Sequence, residues 1–301
     1  MLDYYLERLQ ERGTAFFYGL TLGGGTLLLF FSGWLWWHYF YLNPQTVFYS
    51  SVDNGLVTTG VTKQTVSKAS DGSVSQDDQI TLGAQNLVKT VTVVTQTPKQ
   101  AAPSVVTTEA IGTPDDSFIR YSAINAGKTT SLGPVAAIWS KQPVSESGSG
   151  VFENAIFDVF PVAHLPALER QKVIDSVKKG DIYKTDFKAV TKERKNGRLY
   201  YIYNVSLVSD KYAALLKQVD AAMGLNKLKT LDPSQYQGSE PVLMRVKVDA
   251  AGHQLQSVSY VANNRVQTYS VWGASRKITV PTKSVTPNEL QAKLNAVLNQ
   301  Q

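Results

Sequence analysis

The chain has 301 residues, with 30 Lys+Arg against 24 Asp+Glu, 43% hydrophobic residues and no cysteine. That length admits one large domain or two small ones, and the apolar content excludes a disordered chain. The missing thiol excludes a disulfide scaffold, a cysteine nucleophile, a Cys-ligated metal site and a lipid attached to an N-terminal Cys.

Between Arg12 and Lys63 the only charged residue is Asp53, and residues 14–42 are dominated by Phe, Leu, Gly, Trp and Tyr. As a helix that run would extend about 43 Å, more than the ~20 residues a hydrocarbon core requires. Tyr4, Tyr5, Phe16, Phe17 and Tyr18 mark one end, and Trp34, Trp36, Trp37, Tyr39 and Tyr41 the other, as rings at two headgroup layers would. The run is too long for a signal peptide and ends in bulky rings rather than a small-residue cleavage site. It predicts an uncleaved single-pass transmembrane helix over 14–42, preceded by a cytoplasmic interfacial segment, 1–13. Arg8 and Arg12 precede the span and Lys63 is the first basic residue after it. That bias predicts a cell-membrane protein with its N-terminus cytoplasmic and its C-terminal domain extracytoplasmic. Gly19 and Gly23 form a GxxxG pair that would let two anchors pack as a homodimer, although Gly is common in membrane helices anyway.

Asn43-Pro44 then starts a short helix to about Val52, Asn as cap and Pro at the first helical position. Thr/Val-rich strands follow at Leu56–Lys68, Ser73–Leu82, Leu87–Gln96, Ser104–Ile111 and Ser117–Ser122, with Asp71-Gly72 as a hairpin turn. A short helix or turn falls around Val135–Trp139, and the loop 143–150 is the flexible internal boundary. Helical spacing returns over Val151–Phe160 and from Pro166 to Lys179, closed by Gly180. Ile182–Val190 alternates as a strand, and Lys195-Asn196-Gly197 turns into a strand over Leu199–Leu207. Asp210 caps a helix to Met223. Val242–Asp249, His253–Val261 and Val266–Trp272 form a meander, and Asn288–Leu298 is amphipathic. The domain expectation is an extracytoplasmic body over 43–286 and a C-terminal helix and tail over 287–301. Strands, then helices, then hairpin, helix and meander is an α+β order, against a parallel nucleotide-binding sheet.

The second half resembles the LolA/LppX-type lipoprotein-carrier fold. The residues that carry the likeness are Gly180-Asp181-Ile182-Tyr183, the hairpin into Tyr200-Tyr201-Ile202-Tyr203, the helix from Asp210, Val242–Leu255, Ser270-Val271-Trp272-Gly273 and Ile278-Thr279-Val280-Pro281. The resemblance implies a curved antiparallel half-barrel covered by helices, with the β-rich Leu56–Ala123 completing the sheet, around a cavity for a lipid or other apolar ligand. Tyr183, Phe187, Tyr201, Tyr203, Leu215, Leu216, Val219 and Val246 would line it. A retained anchor and the absence of Cys depart from carriers that shuttle between membranes.

Nothing in the sequence points to an enzyme, a cofactor or a metal. His38, His164 and His253 are scattered and read as surface residues, and Ser176–Lys179 fits Ser-x-x-Lys without the companion motifs of penicillin-binding enzymes. Asp77-Asp78 and Asp115-Asp116 read as solvated turns. Residues 170–198 are rich in Lys and Arg, and Lys178, Lys179, Lys184 and Lys188 would offer an anionic envelope component a basic rim. The interleaved aromatics fit strand interiors better than a nucleic-acid stacking platform, so no nucleic acid is expected. Two functions compete: a membrane-anchored binding protein for an apolar ligand, and a ligand-free structural or interaction domain of an envelope assembly.

Overall fold

Where β-branched residues alternate with polar ones, the chain becomes sheet. The computed structural model describes residues 26, 29–97, 102–126, 129–130, 132–144 and 150–299. The chain divides into two compact units, Met1–Val47 and Phe48–Gln301.

In the first unit, residues 29–36 are helical and Trp37–Tyr41 forms a π turn, closed by the Leu42 N–H on the Trp37 carbonyl. Leu29, Phe30, Phe31, Trp34, Trp36 and Phe40 are each more than half exposed. Among the described residues no helix is long and apolar enough to cross a membrane. Residues 14–25, 27 and 28 of the anchor expected over 14–42, Gly19 and Gly23 among them, lie outside the described residues. Helix α1 (Pro44–Gly55) begins as expected, the Asn43 side chain accepting from the Gln45 N–H at 2.9 Å.

The second unit holds one thirteen-stranded sheet. Its first meander is β1 (Gly60–Ala69), β2 (Gly72–Thr81), β3 (Leu87–Gln96), β4 (Ser104–Gly112) and β5 (Asp116–Ala126), with β6 (Thr129–Thr130) and β7 (Ser140–Pro143) both on β5. The second is β10 (Arg198–Leu207), β11 (Val242–Asp249), β12 (Gln254–Tyr260) and β13 (Arg265–Ser270), with β8 (Tyr183–Thr185) and β9 (Thr191–Lys195) both on β10. β1 pairs with β13, so the order runs β6-β5-β4-β3-β2-β1-β13-β12-β11-β10-β8, antiparallel throughout. The remaining helices are α2 (Val151–Ile156), α3 (Ala167–Gly180), α4 (Ser209–Ala222) and α5 (Pro287–Leu298). The architecture is α+β, a large antiparallel sheet with helices.

Period-2 alternation sets the register. Tyr201, Tyr203, Val205 and Leu207 of β10 face Val248, Val246, Met244 and Val242 of β11, all on the inner face. On the outer face Leu87, Ile111, Phe118 and Ile278 make a smaller core with Trp139 and Val280. The amphipathic α5, opened by a Thr286/Glu289 capping box, packs Leu290 and Leu294 on Leu132 and Val135.

Several boundaries depart from the sequence expectation. The helix expected to Phe160 ends at Ile156, because the next residue but one, Asp158, turns inward to Lys63. The strand expected over Ile182–Val190 stops at Thr185: Asp186 accepts the N–H groups of Lys188 and Ala189 and bends the chain into a turn. α3 includes Gly180, and Asp181 takes the left-handed position after it at φ 48°. α4 has Val208 as N-cap, with Asp210 inside the first turn. Asn196 and Gly197 do form the tight hairpin turn, at φ 51° and 76°. His253 is buried rather than superficial, and Asp78, expected in a solvated turn, is fully buried on β2.

Candidate functional site

The inner face of the sheet carries a polar core within apolar surroundings. Val61, Lys63 and Thr65 alternate inward on β1, opposite Ile80, Asp78 and Gln76 of β2. Lys63 Nζ lies 3.4 Å from Asp78 Oδ2, 3.1 Å from Asp158 Oδ2 and 2.9 Å from the Ala155 carbonyl. Asp78 also accepts from Thr90 at 2.7 Å and from Gln76 at 2.9 Å. Asp158 accepts from the Gln267 amide, from the Val159 N–H at 2.8 Å and from the Tyr260 hydroxyl at 3.2 Å. Burial opposes its ionisation, but the Lys63 ammonium and Arg265 guanidinium outweigh burial and hold the Asp158 carboxyl below the usual range. Tyr212 and Tyr183 donate to the carbonyls of Asp158 and Val159. Burial, then neighbouring phenols and the Asp158 charge, push Tyr212 and Tyr269 well above the usual tyrosine value, so both remain neutral donors.

Above this floor a cavity of about 380 Å³ opens. The connector supplies Phe157, Asp158 and Val159, and α4 supplies Ser209, Tyr212, Ala213 and Leu216. Leu207, Val242, Tyr260 and Arg265 come from strands β10 to β13, and Leu231 and Tyr236 from the loop after α4. The walls are mainly apolar while Asp158, Tyr260 and Arg265 concentrate polarity at one end. The Arg265 guanidinium lies 5.1 Å from the Tyr260 ring centre, and its Nη2 is 3.6 Å from Asp158 Oδ2. Its Nε is buried with no hydrogen-bond partner among the described residues. A second cavity of about 550 Å³ runs along Lys184, Thr185, Asn204, Ser206, Leu243 and Val261. Leu243 and Val261 are 53% and 63% exposed, so it is a surface depression rather than an enclosed site.

Of the residues expected to line a cavity, Leu216 stands on the wall of the 380 Å³ pocket. Tyr183, Tyr201, Tyr203, Leu215, Val219 and Val246 are buried, and Phe187 is half-buried. Phe160, Tyr183, Phe187 and Tyr203 gather edge-on around Phe48, with ring centres 5.2–6.1 Å from it. The four lysines are exposed and spread over three elements: Lys178 and Lys179 end α3, Lys184 lies on β8, and Lys188 follows in the turn. Lys178 Nζ sits 5.8 Å from the Tyr49 ring centre. The Ser176 hydroxyl donates to the Lys172 carbonyl at 3.0 Å. Among the described residues no group of three or more His, Asp or Glu is placed to hold a metal ion.

Sequence reasoning missed Asp158, Tyr212, Tyr260 and Arg265, and with them Lys63 and Asp78. The available signal was register: Lys63 shares a strand face with Val61, and Asp78 with Ile80, so an apolar inward face carries a charge along with it.

Comparison with known proteins adds little to this geometry. No family model matches the chain, and no curated protein does. Among solved structures, LprF from Mycobacterium bovis is similar, with a TM-score of 0.38 and 15% identity over 80% of this chain and 97% of that one. At that level the likeness transfers neither ligand nor activity.

Proposed function

We propose that this chain is a membrane-tethered binding protein that holds an apolar or amphiphilic molecule in the pocket beside α4. The observation that supports this best is the pocket itself: about 380 Å³, mainly apolar walls, and polar groups gathered at one end. Ligand sites have this composition, mainly apolar walls with a few placed polar groups that fix orientation. Tyr236 and Val242 at the rim remain 40% and 37% exposed, apolar surface that a bound chain would cover. The sequence resemblance to carriers of lipidated proteins points to the same ligand class. The tether is supported by the uncharged run before Asn43 and by the exposed Leu, Phe and Trp side chains of residues 29–36, which suit lipid better than water. The bias of Arg8 and Arg12 toward the N-terminal side of the run supports an extracytoplasmic binding unit.

The test is mass spectrometry of organic extracts from the full chain purified in mild detergent. A co-purifying amphiphile, lost when Ala213→Trp fills the pocket, is the expected result. An empty protein that also fails to bind a fluorescent fatty acid would return the chain to the alternative of a ligand-free structural domain.

A further inference from the structure

We infer that the pocket selects a single-chain amphiphile with an acidic head, carboxylate or phosphate, seated against Arg265. This rests on the pocket being a ligand site at all. The size comes first: about 380 Å³ lies near the low end of the roughly 300–1,000 Å³ of small-molecule sites, room for one chain rather than several.

The head follows from which polar groups at the floor are already occupied. Asp158 has its acceptors filled by Lys63, Gln267, Tyr260 and the Val159 N–H. The Tyr212 and Tyr260 hydroxyls spend their donors on Asp158. Arg265 differs. Its side chain is 38% exposed, its Nη2 stands 3.6 Å from a carboxylate that Lys63 already holds at 3.1 Å, and its buried Nε–H has no partner among the described residues. The guanidinium therefore brings N–H donors only, while the Ser209, Tyr212 and Tyr260 hydroxyl oxygens on the lining can accept as well, so the head that gains most from Arg265 brings oxygen acceptors. A charged acceptor gains most, because bonds between guanidinium and an anionic oxygen are about twice as strong as neutral ones. Ser209, also on the lining, adds a hydroxyl at the opening of α4, where the cap residue Val208 has no side-chain oxygen to satisfy the first N–H groups. The chain of such a ligand would run from Arg265 along Leu216 and Leu231 toward the rim.

Diazirine-bearing probes test this on the full chain in neutral detergent: a fatty acid, its methyl ester and a lysophosphatidic acid, with labelled peptides mapped by mass spectrometry. The acid is expected to label residues 213–216 and 231–236 about tenfold more than the ester, a difference of about 1.4 kcal/mol. Arg265→Gln should reduce acid labelling to the ester level, and Arg265→Lys should restore part of it. The acid probe that saturates at the lower concentration identifies the head as carboxylate or phosphate. Equal labelling of the pocket by acid and ester in the unmodified chain would overturn the acidic head while leaving the pocket reading intact. Absence of label there from all three probes would overturn the pocket reading with it.

Discussion

Lys63 is 2% exposed and faces two carboxylates, one on the neighbouring strand and one on the connector. Ions this deep hold a structure together only because each answers another, so removing one strands the rest. Lys63→Met, of similar length but without charge, should cost about 3–5 kcal/mol in denaturant unfolding, from leaving Asp78 and Asp158 facing each other without their cation. Loss of under ~1 kcal/mol would mean that the cluster is not electrostatically coupled. Asp158 is held below its unfolded value, so its contribution is present above the ordinary carboxylate range and is lost as pH falls through the lower folded value. Glu153 on α2 is the opposite case. It is 1% exposed, neither carboxylate oxygen has a hydrogen-bond partner among the described residues, and burial raises its pKa. The folded state then holds the proton longer than the unfolded chain, so stability falls as pH rises from the ordinary value through the folded one. Glu153→Gln should stabilise the fold at pH 8 by on the order of 1–3 kcal/mol and change little at pH 4. Equal effects at the two pH values in a thermal melt would show that the carboxyl is not titrating in that window.

At the scale of elements, β11 is the clearest case of pattern becoming structure. Val242, Met244, Val246 and Val248 alternate inward as the sequence predicts, and Val246 is fully buried between Tyr203 on β10 and Val258 on β12. Val246→Asp places a carboxylate there with no cation in register, and should cost several kcal/mol, comparable with a domain's whole stability. A variant that keeps its native melt would mean that water reaches this face. The β-meanders were legible because two-residue periodicity survives any tertiary context that buries one side. What was not legible follows from the same rule. Phe152, Ile156, Val159 and Phe160 keep helical spacing, yet the helix ends at Ile156 because local spacing cannot register the pull of Lys63, distant in sequence, on Asp158. Asp186 falls inside the strand expected over Ile182–Val190, but its carboxylate and carbonyl bend the chain into a turn. The pocket draws Leu231 and Tyr236 from an aperiodic loop, and its floor from charges that a search for apolar faces passes over. Gly112 makes the same point in space: a Cβ there would run into the Phe152 backbone, a constraint that only the fold of α2 onto β4 reveals.

In the Phe48–Gln301 unit, the two meanders meet along one seam, β1 against β13, from Thr62–Ser270 to Ser67–Arg265. The polar core lies across it. Lys63 and Asp78 come from the first meander, Gln267 and Tyr260 from the second, and Asp158 from the connector that both must hold. Each meander closes its polar residues on the same connector carboxylate, Lys63 from one side and Gln267 from the other. That shared dependence predicts a single cooperative transition. Two tryptophans report on the halves: Trp139 packs on the outer core with Phe118 of β5, and Trp272 stacks on Tyr269 of β13 at 5.9 Å. With Trp34, Trp36 and Trp37 replaced by Phe, a chain retaining only Trp139 and one retaining only Trp272 should unfold in urea at the same midpoint. Gln267→Ala removes a fully buried amide from the seam and leaves the Asp158 carboxylate short of a donor, at about 1–3 kcal/mol. Because Gln267 belongs to β13 and ties the second meander to Asp158 on the connector, the two midpoints should then separate, with the Trp272 midpoint falling first. Midpoints that already differ in the chain with an intact seam would show that the meanders fold as independent units, and that the buried charges stabilise each side separately.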